Sequence, residues 1–540
     1  ATDASAPNKI LALVRSGDPE RIAQRAHEAA RAELRHQWER CQRQIQIPTE
    51  MLDAELAARQ VEEFLEFYAA WWPVDGDYAG ARENVERLLA GRKAVRDFKP
   101  TLSRPGRPKS PLDPARDCVL QISTHGGVPE QCRQHPLWLK QRETLDALSL
   151  LKRVNGADRE TPSTSLMAVR AILPAAREKA SGALEALERI ADAKGLGADF
   201  GDLFFPSRVD ELIEEGHPLD RERIAQLRKT ILDRVGFHSD QLAYYAILAA
   251  DGDRMGAVVG DQKDVDRHRQ LSAALAGYAR EACQCVRSHD GHPIYAGGDD
   301  VLALLPANRA LSCAHALATK FADRLAPFVV SESGQRGPRR GGTLSVGIAI
   351  VHAMDPLQVS VERARQAEKQ AKTIRNALAV ALHTRGGPPI SFAHSWAIRE
   401  AMDDWWDLIR CFRSRPRGRA PLPRGFPYKL YRLAREWQRV ELSPELLRDE
   451  AARILARKEG GKSSEGAPAG YQLPRWLGAD TELLRRRAEQ TGVRTEKETG
   501  QAVHPGVLAA ILLEGYARQM VIARFLAAYP EVPRDGDPRH

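Results

Sequence analysis

The stretch PIYAGGDDVLALL, residues 293–305, decides how the central part of this 540-residue chain folds. PIYA and VLALL have the length and apolar character of short strands, and GGDD joins them with two glycines and two turn-forming acids. The pattern predicts a β hairpin that carries Asp299 and Asp300 at its turn. A lone GGDD is a common turn, so its meaning depends on the segments around it.

The segments on either side of the hairpin predict a ferredoxin-like palm. LAYYAILAA (242–250) and TLSVGIAIVH (343–352) are continuous apolar runs suited to buried strands. Helical patterns and a last strand complete the region, at 263–287, 308–325, 356–372 and 377–382. The order β, α, β-turn-β, α, β, α, β is typical of a mostly antiparallel sheet with helices on one face. The expected fold class is therefore α+β.

The length of the chain and its 43% of hydrophobic residues are sufficient for several globular domains. Helical patterns dominate before residue 236 and after residue 390, and residues 97–116 are a loop rich in proline and basic side chains. These changes of pattern predict four domains, namely residues 1–115, 116–236, 237–390 and 391–540.

The bulk composition excludes some classes of protein. No apolar run approaches about 18 residues, so no membrane-spanning helix and no membrane partner are expected. The N-terminal residues lack a signal-peptide pattern, and the seven scattered cysteines are typical of reduced thiols in the cytoplasm. The formal net charge of +8 permits a polyanionic partner without requiring one.

Three acids are expected to meet at one edge of the sheet. Asp251 closes the first strand, and Asp299 and Asp300 lie at the turn of the neighbouring hairpin. Converging carboxylates repel one another unless a cation lies between them, and Mg²⁺ is a hard ion that prefers oxygen ligands. Gly297 and Gly298 leave the backbone before the acids open to a nucleotide.

The predicted chemistry is metal-dependent nucleotidyl transfer. A bound ion lowers the pKa of a ribose 3′-hydroxyl and neutralises the charge of a leaving pyrophosphate. Lys372, on the helix that follows the third long strand, is placed to reach triphosphate oxygens. For Asp253 two interpretations stay open, since it is either a further metal ligand or a cap of the following turn.

Several motifs resemble the large subunit of type III-B (Cmr) CRISPR effectors. In the palm they are ILAADGDRMG (247–256), YAGGDDVLALLP (295–306), LSVGIAIVHAMDPL (344–357) and AEKQAK (367–372). Outside the palm they are ERLLAGRKAVRDFKP (86–100), KSPLDPARDCVL (109–120) and RETLDALSLLKRV (142–154). The resemblance therefore extends over most of the chain, and its palm motifs are the specific ones.

The resemblance implies an RNA-guided antiviral enzyme that converts ATP to cyclic oligoadenylates with 3′–5′ linkages when target RNA pairs with the guide. It implies CRISPR RNA, target RNA and the guide-tag-binding, backbone and small helical Cmr subunits as partners. Carried over by motif, Asp251, Asp299 and Asp300 would hold Mg²⁺ or Mn²⁺. The nucleotide site would be lined by Gly297, Gly298, Ser345 and Lys372.

The resemblance also assigns the four predicted domains. Residues 1–115 would be a partial first palm, because the strand that opens the family's first palm is expected before residues 7–14. Residues 116–236 would be a mainly helical middle domain with a degenerate zinc-finger region, and residues 391–540 an all-α C-terminal domain. The region 237–390 would be the catalytic palm with GGDD.

Two family features are not expected in this chain. The adjacent pair His289–Asp290 lacks the further ligands of an HD nuclease site, so no such nuclease activity is expected. Asp146 and Ser149 stand where the family's second pair of zinc cysteines would be. The remaining candidate ligands are Cys118, Cys132, His125 and His135. They do not complete a tetrahedral set, so zinc is not expected there.

The sequence is also compatible with other functions and with additional contact sites. A catalytically silent scaffold that organises guide RNA and partner subunits is the main alternative, while a diguanylate cyclase is disfavoured by the long helical flanks and by GGDD in place of GGDEF. The basic tracts 334–342 and 411–425 are candidate RNA-phosphate contacts or solvated loops. Cys283 and Cys285 are expected to pack in a helical core, and His352 to be a packed or capping residue.

Overall fold

The computed structural model of the chain describes residues 9–15, 17–45, 47, 51–95, 103–121, 139, 143–156, 161–193, 200–329, 341–398, 401–413, 422–459, 471, 473–496 and 500–530. The described residues form two compact units, one within Lys9–Thr161 and the other within Pro162–His540. Cys132, His125, His135 and most of the basic tracts 334–342 and 411–425 lie outside the described residues.

The larger unit is built on one six-stranded sheet. Its strands are β1 (Tyr244–Gly252), β2 (His292–Gly297), β3 (Asp300–Pro306), β4 (Leu344–His352), β5 (Ala377–Leu382) and β6 (Ile390–Ser395). They lie in the order β2-β3-β1-β4-β5-β6, and only β4 and β5 are parallel. The first four strands have the connectivity of the predicted ferredoxin-like palm, and the α+β fold class is confirmed.

The sheet continues past the predicted domain boundary at residue 390. β6 pairs antiparallel with β5 over its whole length, from Ile390 opposite Leu382 to Ser395 opposite Ala377. The predicted palm ends at residue 390, where this strand begins, because SFAHS lacks the continuous apolar run of the other strands.

Helices surround the sheet and form the rest of the larger unit. Those before the sheet are α5 (Thr164–Val169), α6 (Leu173–Ala193), α7 (Pro206–Glu214), α8 (Arg221–Val235) and α9 (Ser239–Leu242). Those between the strands are α10 (Met255–Gly260), α11 (Val265–Ser288), α12 (Ala310–Leu325) and α13 (Leu357–Ile374). Those after the sheet are α14 (Ala401–Phe412), α15 (Phe426–Trp437), α16 (Pro444–Glu459), α17 (Thr481–Gln490) and α18 (Pro505–Leu526).

The last helix, α18, is the core of the C-terminal helical region. By length and apolar composition it could cross a membrane, which the sequence analysis did not anticipate. However, 78% of its most apolar stretch is buried inside the protein, against α14, α15, α16 and α17. Burial of this kind is typical of a hydrophobic core helix, which is apolar on every side.

The smaller unit is helical in its described residues. It contains α1 (Pro19–Gln44), α2 (Ala54–Glu62), α3 (Tyr78–Ala94) and α4 (Ala147–Gly156). Its core includes Trp38, Cys41, Cys118 and Leu145. Isolated bridges such as Leu52 with Leu120 are the only β pairing among these described residues, so the partial first palm stays a prediction.

Helices cover both faces of the sheet, so the prediction that they lie on one face is wrong. A Cβ atom placed on Gly252 of β1 would lie 3.0 Å from the Phe321 ring of α12. A Cβ atom on Gly347 of β4 would instead meet the backbone of α13. Gly347 pairs with Ala249, three positions before Gly252, and residues an odd number apart on a strand point to opposite faces.

Small residues let α13 lie close to its face of the sheet. One row across four strands runs through Ala249, Gly347, Ala379 and Ala393, each opposite the next. The helix faces this row with alanines, chiefly Ala367 and Ala371, which cluster with the alanines of β5 and β6. Because none of these side chains extends beyond Cβ, the helix backbone approaches the strands directly.

We predict that Gly347→Ala destabilises the larger unit. The added Cβ would lie 2.6 Å from the carbonyl carbon of Ala367, and a helix backbone cannot yield as a flexible side chain can. The expected loss in free energy of unfolding is about 1–3 kcal/mol, measured by urea denaturation. Gly182→Ala is the matched control, because a Cβ there meets no heavy atom within 4 Å and alanine favours a helix. Equal stability of the two variants would contradict the close approach of α13.

Candidate active site at the acidic hairpin

The register of the sheet brings the three predicted acids together. Asp251, the second-last residue of β1, lies directly opposite Asp300 of β3. The Gly252 N–H donates to the Asp299 carbonyl at 3.0 Å. Side chains of directly opposed residues in an antiparallel pair have Cβ atoms about 4.5–5.5 Å apart. The end of β1 and the hairpin therefore present their carboxylates at one point of the sheet.

The hairpin turn depends on one glycine. Gly297 pairs with Asp300, which leaves Gly298 and Asp299 as a two-residue connection. Gly298 has φ of +76°, whereas Asp299 is not in the left-handed region, and this combination is that of a type II′ turn. A Cβ atom on Gly298 would meet nothing within 4 Å among the described residues, so glycine is required here by backbone conformation.

Lys372 of α13 reaches the acids. Its Nζ forms an ion pair with Asp251 and donates to the Gly252 carbonyl at 2.8 Å. The Lys372 side chain is 27% exposed. A cation in this position is able to contact both a carboxylate and an incoming phosphate.

Two further residues of α13 face the acids, and the sequence analysis did not identify them. Glu368 is half-buried one turn before Lys372, and partial burial followed by the Asp251 charge raises the pKa of its carboxyl. The pKa of Asp300 is raised overall by burial and by Asp251, and the positive charge of Arg365 offsets part of that rise because it favours the ionised carboxylate. The signal was in the spacing, because residues 365, 368 and 372 share one side of a helix.

The charges of the acids are imperfectly balanced by the protein. Burial, and then the neighbouring charge of Asp251, raise the pKa of Asp299. Partial desolvation and Asp251 also raise the pKa of Asp300. Like charges held together in this way favour the uptake of a proton or of a metal cation.

Asp253 is held inside the protein and is not presented to a ligand. Its side chain is 2% exposed and accepts hydrogen bonds from Ser345 Oγ, Thr343 Oγ1 and the Asn376 N–H, each at 2.8 Å. These donors come from β4 and its start and from the end of α13, so the carboxylate neither faces a ligand nor caps the turn that follows it, and its role is structural. Its acceptor positions are used to join the ends of β1 and β4 to the end of α13.

Ser345 does not face an open site in this structure. The residue is fully buried opposite Asp251, and its hydroxyl donates to Asp253. The predicted contact between Ser345 and a nucleotide is therefore corrected to an indirect role, in which the serine holds Asp253. The sequence could not reveal this, because a serine at the end of a strand is equally suited to contact a ligand directly and to hold a neighbouring residue in place.

Strained backbone surrounds Asp253. Arg254, which follows it, has φ of 51°, and Arg375 and Asn376 at the end of α13 have φ of 66° and 45°. Non-glycine residues rarely adopt these values, and such strain persists only where surrounding contacts hold it. The hydrogen bond from the Asn376 N–H to the Asp253 carboxylate supplies one such contact.

The acids fit a hard divalent cation. Asp251 and Asp300 offer carboxylate oxygens from adjacent strands, and Asp299 and Glu368 add two more carboxyl groups beside them. Burial raises the pKa values of Asp299, Asp300 and Glu368, and the Asp251 charge raises them further, a repulsion that a cation would relieve. An all-oxygen set of this kind is typical of Mg²⁺ or Mn²⁺ sites, which also retain water and substrate phosphate as ligands.

Asp146 and Ser149, in the region predicted to be a degenerate zinc finger, are joined by hydrogen bonds. Asp146 is buried and accepts from Ser110 Oγ at 2.7 Å and from the Leu148 N–H at 2.9 Å. The Ser149 hydroxyl donates to the same carboxylate, and these bonds lower its pKa although burial opposes them. Cys118 is buried nearby in the same core.

His352 is packed as expected, and His289 is buried beside the end of α11. His352 stacks edge-on against Tyr244 with ring centroids 5.2 Å apart, and its Nδ1 accepts from the Met354 N–H at 3.1 Å. His289 follows α11 directly and is buried, with Nδ1 at 2.7 Å from the Cys285 carbonyl oxygen. Asp290 instead lies near Arg309, at 3.3 Å.

Comparison with protein families identifies the class of this domain. Residues 244–379 match the family described as Cas10/Cmr2, second palm domain. That range begins at β1 and ends within β5, so it contains the acidic hairpin and all of α13. The resemblance found in the palm motifs is thus confirmed, and residues 244–379 are similar to the second palm domain of Cas10/Cmr2 proteins.

Three individual proteins show how far the similarity extends. The CRISPR system Cmr subunit Cmr2 of Pyrococcus furiosus is 30% identical over a segment that covers 41% of this chain and 27% of the relative. A solved type III-B Cmr-β complex bound to cognate target RNA contains a chain that is 13% identical, with a TM-score of 0.45, and the match covers 82% of this chain and 62% of that one. A Csm1–Csm4 cassette in complex with cA4 is 14% identical, with a TM-score of 0.31, over 52% of this chain and 36% of that one. This chain spans less than two thirds of the length of each relative.

We predict that Asp253→Ala lowers stability far more than Asp251→Ala does. The first change leaves buried donors without their acceptor, so a loss of at least about 2 kcal/mol is expected. The second removes a half-exposed carboxylate from a cluster of like charges, and a change within about 1 kcal/mol is expected. Urea denaturation in the presence of a chelator compares the two. A fully stable Asp253→Ala variant that had lost Mg²⁺ binding would show instead that Asp253 is a ligand.

A second prediction concerns Mg²⁺ and the melting temperature. Because folding raises the pKa values of Asp299, Asp300 and Glu368, their ionisation opposes folding as the pH rises through those values. At pH 7.5, Mg²⁺ should raise the melting temperature. At a hundredfold excess over its Kd, the expected gain in the free energy of unfolding is about 2.7 kcal/mol. Asp300→Asn should raise the melting temperature in a chelator and reduce the effect of Mg²⁺.

Sodium chloride at matched ionic strength controls for screening in this experiment. The variant Asp323→Asn, an exposed aspartate on α12, controls for the loss of one negative charge elsewhere in the palm. An undiminished Mg²⁺ effect in Asp300→Asn would place the ion somewhere other than the acidic hairpin.

Proposed function

We propose that this palm joins ATP molecules through 3′–5′ linkages and closes them into cyclic oligoadenylates, within an RNA-guided type III CRISPR complex. The observation that carries the proposal is the cross-strand pair of Asp251 and Asp300, with Asp299 beside it and Lys372 facing it. This is the arrangement expected of a site that holds a metal ion next to a triphosphate. The match to the Cas10/Cmr2 second palm domain supports the same chemistry.

The reaction needs a hydroxyl, an α-phosphate and a leaving group in line. The 3′-oxygen of one ATP would bond to the α-phosphorus of the next, the bond to the β-phosphate would break, and pyrophosphate would leave. Mg²⁺ or Mn²⁺, when bound, supplies the charge that makes the 3′-hydroxyl acidic and stabilises the departing pyrophosphate. The proton of the attacking hydroxyl passes to solvent or to a carboxylate of the cluster.

The residues of this chain have separate parts in that reaction. Asp251, Asp299 and Asp300 would hold the ion through carboxylate oxygens. Lys372 would donate to triphosphate oxygens from α13, where its ammonium group already contacts Asp251. Gly298 places no side chain above the turn, so a nucleotide is able to approach the backbone of the hairpin.

The setting of the reaction is proposed on the relationship to the Cmr2 subunit. Guide RNA, target RNA and the other Cmr subunits would be the partners, and target binding would start synthesis. A free enzyme would consume ATP continuously, so a resting state is expected. Displacement of a reacting group by about 1 Å is sufficient for a rate change of about 100-fold, so small movements would switch the site.

We predict that Asp299→Ala combined with Asp300→Ala abolishes product formation and leaves guide RNA binding intact. The assay is mass spectrometry of products formed from ATP or GTP by the complete ribonucleoprotein, with Mg²⁺ and target RNA. Asp323→Ala is the control, since this exposed aspartate on α12 lies outside the acidic cluster. Wild-type complex is expected to form cyclic oligoadenylates with ATP and none with GTP.

Two outcomes would contradict the proposal in different ways. Full product formation by the double variant would reject the acids as the metal site. A wild-type complex that binds guide and target RNA but forms no nucleotide product would identify the chain as a silent scaffold.

A further inference from the structure

A cluster of soft ligands lies behind the sheet, on the face opposite α13. Cys285 and His289 are one turn apart at the end of α11, and Cys313 approaches them from α12. All three are buried, with exposures of 5%, 4% and 0%. Their candidate donor atoms, two sulfurs and an imidazole nitrogen, all lie within 4.8 Å of one another.

The His289 ring lies against both the backbone and the thiol of Cys285. Its Nδ1 lies 2.7 Å from the Cys285 carbonyl oxygen and 3.9 Å from the Cys285 Sγ. In the tautomer whose Nδ1–H donates to the carbonyl, Nε2 would be the ligand atom, and a backbone carbonyl is a common support for a histidine ligand. In the other tautomer, Nδ1 would be the ligand atom.

A buried hydroxyl gives an independent indication of a ligand. Tyr278 lies on the same side of α11, seven residues before Cys285, and is fully buried. Its hydroxyl has no hydrogen-bond partner among the described residues. Buried hydroxyls are normally satisfied, so a ligand close to the thiols would explain this one.

We propose that Cys285, His289 and Cys313 bind a thiophilic divalent cation, Zn²⁺. Two thiolates and one imidazole are a donor set that zinc prefers and that Mg²⁺ avoids. The fourth position would be taken by the Tyr278 hydroxyl or by a water molecule. Binding would release the thiol protons and would join α11 to α12.

This site is separate from the acidic hairpin and does not depend on the proposed function. The two are connected by packing, because the Tyr278 ring stacks edge-on against Phe321 at 4.8 Å. Phe321 in turn lies beneath Gly252 at the end of β1. A zinc ion would therefore stabilise the layer of helices that supports the acids. The proposal revises the expectation that Cys285 only packs in the core, and it concerns a different region from the degenerate zinc finger.

The test is metal analysis of the full chain purified in reducing buffer. Mass spectrometry of the elements is expected to find about one zinc ion per chain. Replacement by Co²⁺ is expected to produce thiolate-to-cobalt charge-transfer absorption in the near ultraviolet and the visible bands of a tetrahedral ion. Cys285→Ser, Cys313→Ser and His289→Gln should each lose most of the metal.

Cys283→Ser is the matched control, since this cysteine is equally buried on α11 but lies outside the cluster. Cys118→Ser separates the site from the zinc-finger region, and both control variants should keep the ion. The wild-type spectrum needs no variant to fold, so the absence of thiolate-to-cobalt absorption in the wild-type chain would overturn the proposal. Retention of full zinc by Cys285→Ser, or its loss from Cys118→Ser alone, would overturn it as well.

Discussion

The site depends on how closely α13 lies against the sheet. That distance is set by a row of residues with no side chain beyond Cβ, and Gly347 is the point of closest approach. Any larger residue there would move the helix outward and take Lys372 and Glu368 away from the acids. The positions of Lys372 and Glu368 beside the hairpin thus depend on a packing constraint on β4, which is separated from the hairpin by β1.

Much of the palm was predictable because its signals are local. The strands β1 and β4 are continuous apolar runs, and the GGDD turn is short enough that two glycines and two acids specify it. Convergence of Asp251 with Asp299 and Asp300 followed from the order of the strands, since β3 lies next to β1 in a ferredoxin-like sheet. Each of these predictions needed only the pattern of one segment and the topology of the fold.

The errors have a common physical origin, because they concern contacts between distant segments. Whether Asp253 and Ser345 face a ligand or each other depends on the register of β1 with β4 and on the end of α13. Glu368 became visible only when α13 was placed against the acids. The cluster of Cys285 and Cys313 joins two helices that are separated in sequence by the whole hairpin.

The spacing of charges along α13 has one more consequence. Glu368 and Lys372 carry opposite charges and lie four residues apart, which is close to one turn, or about 5.4 Å along the helix axis. The sign of the electric potential at the acids therefore depends on the axial position of the helix. A slide by one turn would exchange a basic neighbour for an acidic one and would convert attraction for a polyphosphate into repulsion. The contact at Gly347 thus holds the polarity of the acidic site as well as its shape.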